Sequence, residues 1–189
     1  RLLHGGWNAW VAESRETSEE IPSIEPTQYP LAIQEQNLVN AEEVLARLGD
    51  PEVVIVDARS PEEYSGEVML ANRGGHIPGA VNLAWRDALN GGDSVYVIED
   101  DWRIRLRDDD VEYFKPPDEL QALLEDYGIT TDKQAIPYCQ TMWRGAQVYF
   151  LLRLMGLEDV RGYDGSWAEW GNDDALPIVA GPNPGEYEQ

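Results

Sequence analysis

Four consecutive β-branched residues, Val53-Val54-Ile55-Val56, leave this chain few ways to fold. A strand with one solvated face alternates apolar and polar residues. An unbroken apolar run therefore predicts a strand covered on both faces, as in a parallel sheet between layers of helices. Asp57-Ala58-Arg59 follows at its carboxyl end, and Ser60-Pro61-Glu62-Glu63 starts a helix with a cap and a proline at its first position. Asn40-Ala41-Glu42-Glu43 caps a short helix through Leu48, with Gly49 as its stop. Gly75-His76-Ile77-Pro78-Gly79-Ala80-Val81-Asn82-Leu83 reads as a turn entering another short strand, and residues 117–127 as an amphipathic helix stopped by Gly128. Ala135-Ile136-Pro137-Tyr138 is a further strand, although Pro137 removes a ladder donor and is out of place in a central one. In the helix expected over residues 146–155, Val148, Leu151, Leu152 and Met155 recur at i, i+3, i+4 and i+7, so that helix packs on the sheet. Strands alternating with helices make an α/β sandwich with a mostly parallel central sheet flanked by helices. Ligands in that architecture sit at the carboxyl ends of strands, where Asp57-Ala58-Arg59 and Cys139 both fall.

Cys139, the only cysteine, opens the run Cys139-Gln140-Thr141-Met142-Trp143-Arg144-Gly145 between strand and helix. A turn entering a helix gathers backbone N–H groups into an anion nest, and the helix N-terminus adds partial positive charge. Arg144 closes the turn with a fixed cation. An ordinary thiol with a pKa of roughly 8.5 is only a few per cent ionised at neutral pH; lowering that value by about 2, or ~2.7 kcal/mol, makes it mostly thiolate. The plainer reading of a lone cysteine is a small buried hydrophobe.

The chain's 36 acidic and 14 basic residues give a formal charge of −22, which excludes nucleic acid and anionic membrane surfaces as partners. High salt is one reason for such a charge. A single cysteine forms no intrachain disulfide, and with His4 and His76 it is too poor a set for structural zinc; no metal or other cofactor is expected. No apolar run approaches a membrane span, and the expected location is the cytoplasm, with the periplasm left open because the chain starts without methionine.

Gly5-Gly6-Trp7-Asn8-Ala9-Trp10 returns about 160 residues later as Gly165-Ser166-Trp167-Ala168-Glu169-Trp170, the mark of a tandem duplication unless two helix starts merely coincide. On that reading residues 1–12 are the terminal helix of a missing first domain, residues 13–33, with three prolines, are a linker, residues 34–180 are the catalytic domain and residues 181–189 a tail. Between Leu89 and Pro117 lies an insertion, with residues 95–98 and 102–107 reading as a hairpin. Arg103, Arg105 and Arg107 would share one face, either as an anion-attracting stripe or as a solvated face paired with Asp108, Asp109 and Asp110.

Four motifs in order, Asp57-Ala58-Arg59-Ser60-Pro61-Glu62-Glu63-Tyr64, the Gly75-His76 turn, the Cys139 loop and Tyr163-Asp164-Gly165-Ser166-Trp167, resemble the signatures of the rhodanese family over residues 31–179, tandem-domain thiosulfate sulfurtransferases above all. The resemblance implies a persulfide-forming Cys139, a cradle of Gln140, Thr141, Met142, Trp143, Arg144 and Gly145, a small anionic sulfur donor, a cyanide or thiol acceptor, and the inactive first domain as partner. Arg59 is either a second anion contact or a buried partner of Asp57 or Glu63. Many relatives have glycine where this chain has Met142, and if that position needs φ > 0 a methionine there costs about 1–2 kcal/mol. Relatives that use mercaptopyruvate carry an arginine at the position of Glu63, which weakens that substrate assignment.

Two other classes share parts of this pattern. Cysteine phosphatases and arsenate reductases hold an oxyanion in a cysteine-to-arginine loop, but with five intervening residues against the four here, Gln140 to Trp143. A sulfur-carrier or protein-binding module without turnover would use Met142 and Trp143 as an exposed apolar contact.

Overall fold

The computed structural model describes residues 2–32, 34–90, 97–98, 104–105 and 111–187. Along the chain lie α1 (Gly6–Ala12), β1 (Leu38–Val39), α2 (Ala41–Leu45), β2 (Val53–Asp57), α3 (Pro61–Ser65), β3 (Val81–Asn82) and β4 (Leu89–Asn90). They are followed by β5 (Val97–Ile98), β6 (Ile104–Arg105), β7 (Tyr113–Phe114), α4 (Pro117–Asp126), β8 (Gln134–Tyr138), α5 (Trp143–Leu154), β9 (Gly162–Tyr163) and α6 (Ser166–Trp170). These fall into two units, Arg1–Ile33 with Leu89–Lys115, and Gln34–Ala88 with Pro116–Gln189.

In the first unit β4 pairs antiparallel with β7, and β5 with β6, the latter being the inner part of the expected hairpin. Arg103 and Arg107, two of the three arginines of the expected stripe, lie outside the described residues. Gly5 takes φ 81° and sits so close to Ala9 and the Tyr113 ring that a Cβ would come within 2.6 Å and 2.7 Å of them. His4 Nε2 accepts from the Phe114 amide at 2.8 Å, tying the start of α1 to β7. Residues 13–32 carry no helix or strand and are exposed throughout.

The second unit is built on β2. It pairs in parallel with β3 on one side and, from Val53 to Asp57, with β8 on the other. β1 and β9 form a parallel pair, joined to β8 by a bridge between Val160 and Ala135. Ile55 of β2 and Ile136 and Tyr138 of β8 face a layer completed by Val44 of α2, Tyr64 of α3 and Trp167 and Trp170 of α6. Val54, Val56, Ala135 and Cys139 face the opposite layer, with Leu124 of α4 and Val148 and Leu152 of α5. Helices on both faces are what the β-branched run of β2 requires, and full burial of a side chain such as Val56 contributes about 1.5–3 kcal/mol.

Pro137 fits because of where its missing donor points. In a parallel strand the N–H and C=O of one residue face the same neighbour, and alternate residues face alternate sides. Gln134 donates to Glu52 on the β2 side, whereas Ala135 exchanges bonds with Asp159 and Arg161 on the other. Pro137 shares the direction of Ala135, so it ends the short ladder toward residue 160 and leaves the β2–β8 ladder whole.

Helix starts follow the caps. In α2 the Asn40 side chain accepts from Glu43 N at 2.9 Å and Glu43 accepts from Asn40 N at 3.0 Å; Ser60 and Glu63 make the same reciprocal pair at α3 behind Pro61. Among the described residues no helix is long and apolar enough to cross a membrane.

His76 is buried in this unit, its ring stacked on Tyr64 at 3.6 Å between centroids, with Nδ1 2.8 Å from the Tyr64 carbonyl oxygen and Nε2 3.2 Å from that of Pro184. Burial pushes its pKa below the ordinary imidazole value, against the pull of the two carbonyls. The unfolded chain therefore binds more protons near the ordinary value of about 6.5, and the contribution of His76 to stability, present above that pH, is lost as pH falls. The midpoint of denaturant unfolding should drop between about pH 7.5 and 5.5, and drop less in His76→Gln, as followed by tryptophan fluorescence across that range.

Candidate active site

Strand alternation places the sulfur. Tyr138, the last residue of β8, points into the α6-side layer, so Cys139 falls in the layer beneath α5, where it is 1% exposed. The chain then turns sharply, and its carbonyls and amides part company. The carbonyls of Cys139 and Gln140 accept from the Trp167 and Ala168 amides at 2.9 Å and 3.0 Å. Ser166 Oγ accepts from the amides of Met142 at 3.0 Å and Cys139 at 3.4 Å, and donates to the Tyr163 carbonyl at 2.9 Å. The amides of Gln140, Thr141, Trp143, Arg144 and Gly145 have no acceptor among the described residues, and the first bond of α5 is from Ala146 N to the Met142 carbonyl at 2.6 Å. Unsatisfied donors gathered at the start of a 12-residue helix, next to a cysteine, are suited to hold negative charge on sulfur.

Met142 makes the turn with φ 64°. The sequence places α5 over residues 146–155; it starts three residues earlier because this left-handed residue redirects the chain into the helix at Trp143. Two glycines make room for the methionine: a Cβ on Gly145 would lie 2.8 Å from Met142 Sδ, and one on Gly162 would lie 2.6 Å from Met142 Cε. A Cβ on Gly145 would also come 3.2 Å from the Tyr138 backbone, so Gly145 lets α5 sit directly on the end of β8. Gln140 donates through Nε2 to the Leu70 carbonyl at 3.0 Å, Thr141 is exposed, and Trp143 is 87% exposed at the rim.

Behind the turn lies a cluster of buried charge. Arg144 grips Glu63 with two prongs, Nη1 to Oε2 at 2.5 Å and Nη2 to Oε1 at 2.8 Å, with side chains 11% and 4% exposed. Burial alone would raise the Glu63 carboxyl; Arg144 and the Ser60 amide outweigh it and hold the group below the usual carboxylate range. Arg144 is desolvated too, yet Glu63, followed by Cys139 and Asp57, keeps its pKa above the ordinary arginine value. Arg59 is a buried partner of Asp57, with Nε at 3.0 Å and 3.1 Å from its two oxygens and Nη2 at 2.7 Å, and it stands 4.5 Å over the Trp167 ring. Tyr138 donates to Asp57 Oδ2 at 2.6 Å and accepts from Ile77 N; burial and the Asp57 charge keep it a neutral phenol.

The structure thus brings Cys139, Gln140, Thr141, Met142, Trp143, Arg144 and Gly145 into one turn and sets Arg59 in the salt bridge behind it, the second of the two places open to it. The sequence alone assigns no role to Ser166, which stands at the variable position of the repeated Gly-x-Trp-x-x-Trp motif where the first copy has Gly6, and it does not pair Glu63 with Arg144. That pair spans 81 residues and leaves no local pattern.

Comparison with known proteins follows the same lines. Residues 40–173 match the family model described as Rhodanese-like domain. A thiosulfate sulfurtransferase of Azotobacter vinelandii is 38% identical over 176 residues, covering 93% of this chain and 58% of that protein. A sulfur carrier protein, TtuD, of Thermus thermophilus is 34% identical over 194 residues, covering 96% of this chain and 61% of its own. The chain therefore spans 58% to 61% of the length of these curated relatives. A solved structure of an EanB variant with ergothioneine covalently linked with a persulfide cysteine superposes with TM-score 0.76 at 25% identity, over 96% of this chain and 41% of that one.

The left-handed Met142 has a measurable signature. An alanine there keeps the backbone cost and loses the packing against Gly145 and Gly162, whereas glycine loses the packing alone. Met142→Ala should therefore be less stable than Met142→Gly by about 1 kcal/mol in equilibrium denaturation, the reverse of the order expected inside a helix.

Proposed function

Because this chain belongs to the rhodanese family, we propose that Cys139 carries sulfur as a persulfide in a thiosulfate sulfurtransferase reaction. The observation that carries the reading is the set of five amides, from Gln140, Thr141, Trp143, Arg144 and Gly145, left without an acceptor beside the cysteine. The Cys139 thiolate attacks the outer sulfur of thiosulfate, the sulfur–sulfur bond to the sulfonate group breaks, and sulfite leaves with the electron pair. The persulfide keeps one negative charge, which the amides of the turn hold. Cyanide then attacks the outer sulfur and departs as thiocyanate, or a thiolate takes it as a persulfide, and the Cys139 thiolate returns. No proton transfer is demanded, since both leaving groups are stable anions, and behind the turn Glu63 is held as a paired carboxylate and Tyr138 as a neutral phenol.

Ser166 positions the turn, and Arg144 adds positive potential that Glu63 reduces. Since Cys139 is buried, the donor's outer sulfur is reached across residues 140–144, and the persulfide once made is shielded from water. Arg59 acts through Asp57 and Tyr138 as support for the end of β8. Residues 1–12 are read as the closing helix of a preceding rhodanese-like domain, joined through residues 13–33 to the catalytic domain at 34–180. The repeated Gly-x-Trp-x-x-Trp motif supports this, as does the contrast between Trp7, 65% exposed, and the fully buried Trp167. That preceding domain is the proposed partner.

A carrier without turnover is the second reading, supported by the name of the Thermus relative and by Trp143 standing exposed beside the turn. One measurement tests the persulfide and a second separates the two readings. Intact mass after thiosulfate should rise by one sulfur that cyanide strips off, and Cys139→Ser should take up none; sulfur uptake by the serine variant would remove the mechanism. Steady formation of thiocyanate over many cycles is expected of the enzyme, and a single stoichiometric release of the carrier.

A further inference from the structure

Arg144 is the cation of the turn, yet it is already engaged. Both of its terminal nitrogens bind Glu63, and both side chains are almost out of solvent. Glu63 is itself fixed as the third helical residue of α3, bonded to the Ser60 amide at 3.2 Å and donating its own amide to Ser60 Oγ at 3.3 Å. The buried cluster therefore holds two carboxylates, Asp57 and Glu63, and two guanidiniums, Arg59 and Arg144, whose formal charges cancel. An ionised Cys139 adds a negative charge that no cation in the cluster is left to balance.

We infer that Glu63 is a specificity-determining residue of this site: by holding Arg144 in a two-pronged ion pair it offsets the guanidinium's charge beside the Cys139 sulfur, leaves capture to the backbone amides, and keeps the affinity for multiply charged anionic donors low. The inference rests on the sulfur-transfer reading for its substrate class, while the charge relation between Glu63, Arg144 and Cys139 stands apart from it.

Glutamine at position 63 removes the charge and keeps the cap, since the third position of a capping box accepts glutamate or glutamine alike. The pH dependence of Cys139 alkylation by iodoacetamide is to be measured in wild type, Glu63→Gln, Arg144→Gln and the double variant, with kcat and KM for thiosulfate alongside. The charged and titratable groups around the turn are Asp57 and Arg59 at the end of β2, Tyr138 at the end of β8 and, on α6, Glu169 bonded to Tyr163, which all four share, together with Glu63 on α3 and Arg144 on α5, which the variants replace.

Glu63→Gln should move the alkylation midpoint down by about one pH unit and lower KM for thiosulfate roughly ten-fold with a smaller change in kcat. Arg144→Gln, which leaves a bare carboxylate, should move the midpoint up. The double variant should return to the wild-type midpoint, because a neutral pair replaces a neutralised one. A midpoint in Glu63→Gln that stays or rises, or a double variant that titrates like Arg144→Gln, would show that the guanidinium serves the sulfur despite its partner and would overturn the inference. Should Glu63→Gln fail to fold, the double variant against wild type and Arg144→Gln decides alone. Failure of wild type to load sulfur would count against the sulfur-transfer reading, and the alkylation series would still settle the part played by Glu63.

Discussion

The site depends on how α6 receives the end of β8. Two amides of its first turn bind the carbonyls of Cys139 and Gln140, and Ser166 Oγ binds the amides of Cys139 and Met142. A peptide unit points its C=O and N–H in opposite directions, so fastening these carbonyls to one side leaves the following amides to face the other. A set of donors with no protein acceptor is ordinarily a cost of folding; on the proposed reading, beside a sulfur that carries negative charge, it is the means of holding that charge. Ser166, itself left-handed at φ 53°, is held by the Tyr163 carbonyl, so the geometry of the turn reaches back into the β9–β1 pair.

Charge behind the turn is arranged for rigidity. Asp57 accepts from Arg59 and Tyr138 in a fully buried setting, and Glu63 and Arg144 close a second pair. Removing ions from water is costly, and such pairs give little net stability unless their remaining hydrogen bonds are met. Here they are shared: Arg59 also binds the Gly75 carbonyl, Tyr138 accepts from Ile77, and Glu63 completes the cap of α3. Each bond ties a different segment to the carboxyl ends of β2 and β8, which fixes the frame against which a short turn keeps its shape.

Much of this was legible in the chain itself. The β-branched run of β2, the capping residues Asn40 and Ser60, and the single cysteine between strand and helix all speak through neighbours in sequence, and the sandwich follows from them. Met142 was legible only conditionally, because a left-handed residue at the turn was a matter of geometry; the φ of 64° and the niche left by Gly145 and Gly162 explain how a methionine takes a place suited to glycine. Pro137 looked misplaced until the direction of its nitrogen was known. The pairing of Glu63 with Arg144 was beyond sequence because 81 residues separate them, and Arg59 has both Asp57 and Glu63 close along the chain, so only the packing of α3 and α5 assigns each arginine its partner.

The acidic composition raises a last question of scale. A chain of formal charge −22 repels anions at long range, and the proposed anionic sulfur donor is at odds with that field. The two act over different distances. Surface charge is screened within about 10 Å at 0.1 M salt, and more closely at higher salt, whereas the amide dipoles of a helix start act within its first turn and at contact. Behind them the paired Asp57, Arg59, Glu63 and Arg144 contribute no net charge, so the potential at the sulfur is left to the turn's own amides. A short, dipolar, internally neutral site is therefore the arrangement by which, on the proposed reading, a strongly acidic protein would hold an anion at one buried atom.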